Sequence, residues 1–102
     1  AAHVYLLDNE PETAQEYLEE ALRIFENLGE KYKISTVHLD LGRLHLLNKE
    51  YNQMKDDFDR CLELMKELNL PFYYERMVKE IISILKTNGR LDDVKKYRAM
   101  LN

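Results

Sequence analysis

The sequence predicts an all-α fold, namely an antiparallel helix-pair solenoid of about six helices with a truncated first helix. Its apolar pattern recurs at a fixed interval, because Met54 lies 40 residues after Ala14 in an equivalent setting. Within each copy, two helical patterns are separated by a short polar turn. Only three Gly and two Pro occur in 102 residues, which leaves little turn chemistry for strands. A period of about 20 to 50 residues is typical of repeat arrays.

The repeat is clearest between the first two copies. Segment 14–24 aligns with segment 54–64 without a gap, and the apolar positions coincide throughout. A further shift of the same length brings Val94 under Met54, in a looser third copy. The expected repeats cover about 1–34, 35–74 and 75–102, and together they form one domain that is a fragment of a longer array.

Turn residues delimit the individual helices. Asn and Gly adopt left-handed backbone geometry at low cost, and Pro11 suits a first helical position because its missing N–H has no intrahelical partner there. Pro71 prevents the preceding helix from continuing. The expected helices are 1–8, 11–28, 32–47, 51–68, 72–87 and 91–101.

Composition excludes several classes of function. Fifteen basic and 19 acidic residues give a net charge of −4, which disfavours binding to nucleic acid or to an anionic membrane. The mean hydropathy is −0.54, and no apolar run is long enough to span a bilayer. Cys61 is the single cysteine, so an intrachain disulfide is excluded and a reducing, cytoplasmic setting is expected. The N-terminus carries neither an initiator Met nor a signal sequence, which indicates a cut within a longer protein.

The repeat resembles the tetratricopeptide repeat (TPR) family over the whole chain. In that family, helix A carries a large residue, then Leu-Gly, then an aromatic residue, and helix B alternates small and aromatic residues. The middle copy fills these positions with His38, Leu41, Gly42, His45, Tyr51, Met54, Phe58 and Cys61. Three positions depart from the pattern, because His38 replaces a Trp-like residue, Ile82 a small residue and Arg98 an aromatic one.

The resemblance implies a superhelix whose A helices line a concave surface. The 40-residue period is similar to the extended TPR subtype of regulatory arrays. The family pattern places these residues in the concave groove: Thr36, Leu39, Arg43, Leu46, Arg76, Lys79, Ser83 and Lys86. The groove then runs from apolar to basic, although ordinary contacts between adjacent A helices would explain the same residues equally well.

The predicted function is a non-catalytic protein-interaction module that holds a peptide or partner helix in this groove, with acidic residues in the partner. One alternative is a structural spacer that self-associates through exposed repeat ends. Another is the peptide-sensing arm of a transcription regulator or signalling ATPase. No nucleic acid, membrane, metal or cofactor is expected at this segment.

Other candidate chemistry is assigned to packing or solvation. His38, His45 and Cys61 could be imagined as metal ligands, but they occupy packing positions of the repeat, and a structural zinc site needs four ligands. No nucleophile motif or phosphate loop is present, so an enzyme is not expected. The charges of the B helices, including Asp57 and Asp59, are expected on a solvated outer face. They would form pairs such as Glu19 with Arg23 and Asp56 with Arg60.

Overall fold

A computed structural model describes residues 11–101, which form five α-helices and a final short 3₁₀ helix. Their bounds are α1 (Pro11–Leu28), α2 (Lys31–Leu47), α3 (Tyr51–Glu67), α4 (Pro71–Thr87), α5 (Leu91–Arg98) and the 3₁₀ helix Ala99–Leu101. Five of the six expected helices are therefore confirmed nearly to the residue. The expected helix at 1–8 lies outside the described residues.

Each helix packs against the next one along the chain, so the all-α helix-pair solenoid is confirmed. The connections are only two or three residues long, which forces consecutive helices to run antiparallel. As a consequence, α2 and α4 run in the same direction on one side of the stack, and α3 and α5 lie on the other side. No strand occurs within residues 11–101.

Each of the four turns between helices contains one residue in the left-handed conformation, and these residues are spaced 20 apart. Gly29, Lys49, Asn69 and Gly89 all have positive φ, between 56° and 72°. At the first turn the N–H of Glu30 donates to the carbonyl of Phe25, five residues back, at 3.0 Å. This bond is typical of a helix terminated by a left-handed residue. Gly and Asn adopt that geometry readily, whereas Lys49 adopts it against its steric preference.

Two buried clusters hold the stack together. The first joins α1 to α2 and consists of Ala14, Leu18, Val37, Leu41 and Leu44. The second spans α2 to α5 and contains Leu46, Met54, Phe58, Leu62, Val78, Ile81, Ile82, Leu85, Val94 and Tyr97. Because the second cluster takes residues from both helix pairs, no pair buries its apolar surface alone.

Gly42 lies at a close approach of α2 and α3. A Cβ atom built on Gly42 would overlap the aromatic ring of Phe58. The sequence places this approach near Met54 and Cys61, and Phe58 lies between those two residues on the same buried stripe of α3. The missing side chain of Gly42 therefore makes room for the ring.

The third repeat fills its aromatic position one residue earlier than the repeat pattern predicts. Arg98, which aligns with Phe58, is exposed, and Tyr97 is fully buried instead. The rings of Phe58 and Tyr97 meet edge to face, with centroids 6.3 Å apart. A buried guanidinium without a partner would be costly, so the helix presents the neighbouring aromatic ring to the core.

We expect Gly42→Leu to lower the free energy of unfolding by about 1 to 3 kcal/mol, because the added side chain must displace the Phe58 ring. Urea denaturation measures this change. Gln53→Leu introduces the same residue at an exposed position of α3 and should change stability little. If both variants were as stable as the parent, Gly42 would not lie at a close helical contact.

Lys49→Gly should raise the free energy of unfolding by up to about 1 kcal/mol, because glycine relieves the left-handed strain at this turn. Thermal or urea melting would detect the gain. Asn48→Gly is the matched control, since Asn48 has φ −86° and gains nothing from glycine. Equal effects of the two substitutions would contradict this account of the turn.

Candidate partner-binding groove

A cleft between α2 and α4 contains a pocket of about 260 Å³. Seven side chains line it, namely Tyr32, Leu39, Met65, Tyr73, Arg76, Met77 and Glu80. All come from the two A helices except Met65, which belongs to α3. The pocket thus lies between two neighbouring repeats, on the side of the stack formed by the A helices α2 and α4.

Aromatic side chains form the entrance of this pocket. The rings of Tyr32 and Tyr73 meet edge to face, with centroids 6.2 Å apart, and join the start of α2 to the start of α4. Phe72 packs edge to face against Tyr73 at 5.9 Å, and the guanidinium of Arg76 lies over the Phe72 ring. Phe72 is 68% exposed and the two tyrosines are nearly half exposed, so apolar area remains uncovered here.

Of the eight groove residues that the sequence predicts, Leu39 and Arg76 lie together at this pocket. Arg43 follows Leu39 by one helical turn on α2 and is half-buried. Thr36 donates a hydrogen bond from Oγ1 to the carbonyl of Lys33 at 2.8 Å. Three of these residues therefore lie on one face of α2, and Arg76 lies across the cleft on α4.

The other four predicted groove residues do not line this pocket. Leu46 is buried in the second core cluster together with residues of α3, α4 and α5, so it is not available at the surface. Lys79 pairs with Glu75 on its own helix at 3.0 Å. Ser83 and Lys86 are exposed, and the Ser83 carbonyl accepts a hydrogen bond from Thr87.

Three groove cations have no acidic partner within the part of the chain that the structure describes. Arg43, Arg76 and Lys86 form no ion pair there, whereas the other described cations include eight that do. Of the three, Arg76 lines the apolar pocket, and a cationic group at such a pocket can attract a negatively charged ligand. Glu80 at the pocket wall offsets part of this charge.

Sequence reasoning missed the aromatic part of the pocket. Tyr73 and Tyr74 follow Pro71 and are typical of a connection that packs neighbouring helices together. Tyr74 fits that interpretation, since it is half-buried under the ammonium of Lys66 at 5.4 Å. Tyr73 fits it as well, because its ring meets Tyr32 of the neighbouring A helix, although it also lines the cleft. The available signal was the presence of an aromatic residue in the first turn of each A helix, at Tyr32 in α2 and Tyr73 in α4.

The two histidines form a polar cluster with Asp57 between α2 and α3, which corrects their assignment as simple packing residues. His38 Nδ1 lies 3.0 Å from Asp57 Oδ1, and His45 Nε2 lies 3.4 Å from Asp57 Oδ2. His45 Nδ1 also lies 3.0 Å from Glu50 Oε1.

Asp57 is accordingly not on a solvated outer face, contrary to the expectation for α3. Its side chain is 15% exposed, and two histidines of α2 share its carboxylate. The expected pairing of Asp56 with Arg60 is also wrong, because Arg60 pairs with Glu63 and Glu67 instead. The helical period correctly separates the exposed from the buried face of α3, but Asp57 lies at the edge of the exposed face, next to α2.

Cys61 lies apart from this chemistry. It is fully buried, its Sγ lies 3.2 Å from Ser35 Oγ, and burial raises the pKa of the thiol to about 11. Ser35 Oγ also donates to the Cys61 carbonyl at 3.0 Å, so the serine is satisfied inside the helix pair. Among the described residues, no group of His, Cys, Asp or Glu is arranged to hold a metal ion.

A second polar contact corrects the placement of Asp59. The hydroxyl of Tyr97 donates to Asp59 Oδ1 at 2.9 Å, and Lys96 Nζ lies 2.7 Å from Oδ2. Burial, followed by the charge of Asp59, raises the pKa of Tyr97 well above its ordinary value. Asp59 thus ties α3 to α5 and does not merely face solvent.

The comparison with known families supports this architecture. The family model described as tetratricopeptide repeat matches residues 1–28 and 35–66, which is more than half of the chain. The chain belongs to the tetratricopeptide repeat family, whose repeats generally mediate protein–protein interaction. No curated protein and no solved structure matches the chain. Within residues 11–101, no helix is both long and apolar enough to cross a membrane.

Asp57→Asn should lower the free energy of unfolding by about 1 to 3 kcal/mol, because it removes the charge that two half-buried imidazoles share. Urea denaturation at neutral pH provides the measurement. Asp56→Asn is the control, since Asp56 is the exposed neighbour on the same helix. If both substitutions lowered the free energy of unfolding equally, the histidine contacts would add nothing to stability.

Proposed function

We propose that this chain is a non-catalytic interaction module that holds a peptide or partner helix in its concave groove, as part of a larger regulatory protein. The observation that carries this proposal is the pocketed cleft between α2 and α4. It combines uncovered aromatic surface with arginines that have no acidic partner in the described chain. Fully buried interface centres are enriched in aromatic residues, Met and Arg, and this cleft has the same composition.

The charge distribution supports a partner with acidic residues. The chain as a whole carries −4, yet Arg43, Arg76, Lys79 and Lys86 lie on the A helices. A local positive zone on a negative protein attracts an acidic segment while the remaining surface repels bulk polyanions. The carboxylates of Glu75 and Glu80 reduce this zone but do not cancel it.

Two other settings use the same architecture. In one, the segment is a spacer or self-association surface of a longer array, and its exposed apolar groups contact a second copy. In the other, it is the sensor arm of a transcription regulator or signalling ATPase, and a cytoplasmic effector peptide occupies the groove. Sedimentation at several concentrations distinguishes the spacer, because only self-association depends on concentration in the absence of a partner.

Charge reversal tests the groove directly. We expect the double variant Arg43→Glu with Arg76→Glu to lose partners that the parent chain captures from a cell extract, as measured by quantitative mass spectrometry. The matched control is Lys95→Glu with Arg98→Glu, which reverses two exposed cations of α5.

The loss should be greater at low salt, since the Debye length falls from about 30 Å at 0.01 M to about 10 Å at 0.1 M. Retention of every partner by the groove variant, together with losses in the α5 variant, would place binding on the opposite surface and contradict the proposal.

A further inference from the structure

We infer that Asn88, in the turn between α4 and α5, is a site of spontaneous covalent modification, at which the side-chain amide is lost and the residue becomes aspartate or isoaspartate. The site lies outside the groove and does not depend on what the groove binds. The residue that follows Asn88 and the open surroundings of the turn favour the reaction. Its product weakens the attachment of α5 to the rest of the stack.

The reaction is an attack by the main chain on its own side chain. The backbone nitrogen of Gly89 forms a bond to Cγ of Asn88, and the side-chain nitrogen leaves as ammonia, taking up the proton that the backbone nitrogen loses. Water then opens the resulting succinimide ring at either carbonyl. One opening gives aspartate, and the other gives isoaspartate, in which the main chain runs through Cβ and Cγ. Atoms and electrons balance with water as the single co-reactant.

The sequence and the surface both favour this reaction at Asn88. It is the one asparagine in the sequence that precedes a glycine, so no β-carbon shields the attacking nitrogen. Asn88 and Gly89 are both exposed. Apart from the chain neighbours of Gly89, no heavy atom lies within 4 Å of the point where its Cβ atom would be. The turn therefore leaves room for the ring to close.

Hydrogen bonds of the folded turn hold both reacting groups in other contacts. Nδ2 of Asn88 donates to the carbonyl of Ile84 at 2.8 Å, and the N–H of Gly89 donates to the carbonyl of Lys86 at 3.1 Å. Both bonds must break before the ring closes, so the reaction follows a transient opening of the turn. Exposed turns open locally at a lower free energy than the whole domain unfolds.

Arg90 connects this turn to the preceding repeat. The Cζ atom of Arg90 lies 3.6 Å from the centroid of the Tyr51 ring at the start of α3, and the guanidinium pairs with Asp93 at 2.8 Å. The N–H of Arg90 donates to the carbonyl of Leu85 at 2.8 Å, which fixes the turn.

The modified residue disturbs this arrangement in two ways. Isoaspartate lengthens the main chain just before Gly89, so Arg90 no longer lies in its place above Tyr51. Either product also adds a negative charge at the C-terminal end of α4, where the helix dipole is already negative. The contact between the start of α5 and α3 is therefore weakened.

Peptide mass spectrometry of the folded 102-residue chain during incubation at neutral pH tests the site. Asn48 is the matched control within the chain. It ends α2 with φ −86° and ψ 3°, against −100° and 12° for Asn88, but it precedes Lys49. We expect Asn88 to lose its amide at least roughly tenfold faster than Asn48, because the side chain of Lys49 shields the attacking nitrogen.

Exchanging the following residues separates the effect of the neighbour from the effect of the location. Gly89→Lys should protect Asn88, and it preserves the turn because Lys49 occupies the equivalent left-handed position. Lys49→Gly should make Asn48 reactive. Unfolding the parent chain in urea should accelerate the loss at Asn88 roughly tenfold or more, since the hydrogen bonds of the turn are then absent.

Thermal melting of the aged chain tests the consequence. The isoaspartate form, separated from the parent by chromatography, should melt at a lower temperature, and Asn88→Asp should cause a smaller loss because it keeps the length of the main chain. Equal rates at Asn88 and Asn48, or a rate at Asn88 that urea leaves unchanged, would overturn the inference. An isoaspartate form as stable as the parent would contradict the proposed effect on α5.

Discussion

The close approach of α2 and α3 at Gly42 is the constraint on which the rest of the stack depends. The ring of Phe58 occupies the space that any side chain on Gly42 would need. That ring then meets Tyr97 of the next repeat, so the packing within one helix pair sets the position of the following pair. Because α4 and α5 pack on the same buried cluster as Phe58, the position of the Phe58 ring also affects how far α4 lies from α2.

The sequence was sufficient to predict the elements and most of their order, because the relevant signals are local. Left-handed residues recur at 20-residue intervals, and each one ends a helix whatever the helix packs against. The period of apolar residues then assigns the buried face of each helix, and Met54, Cys61 and Val94 are buried as expected. These predictions required no knowledge of the distances between helices.

The site was less predictable because it depends on rotations of a few tens of degrees between helices. Arg98 and Tyr97 differ by one position, and only the cost of burying a guanidinium selects the tyrosine. Leu46 and Arg43 lie on adjacent positions of one helical face, yet the second core cluster buries Leu46 and Arg43 stays half-buried. Asp57 shows the same limit, since a residue at the margin of a face can turn either to solvent or to a neighbouring imidazole.

The charged contacts between repeats lie on the side of the B helices, opposite the proposed groove. Asp59 bonds Tyr97 and Lys96 on the side of the B helices, and Lys55 pairs with Asp93 there as well. On the side of the A helices, by contrast, the contact between α2 and α4 is mainly aromatic and aliphatic. The charges that link α3 to α5 are thus paired, whereas Arg43 and Arg76 form no ion pair within residues 11–101. Binding in the proposed groove would therefore leave the ion pairs between α3 and α5 intact.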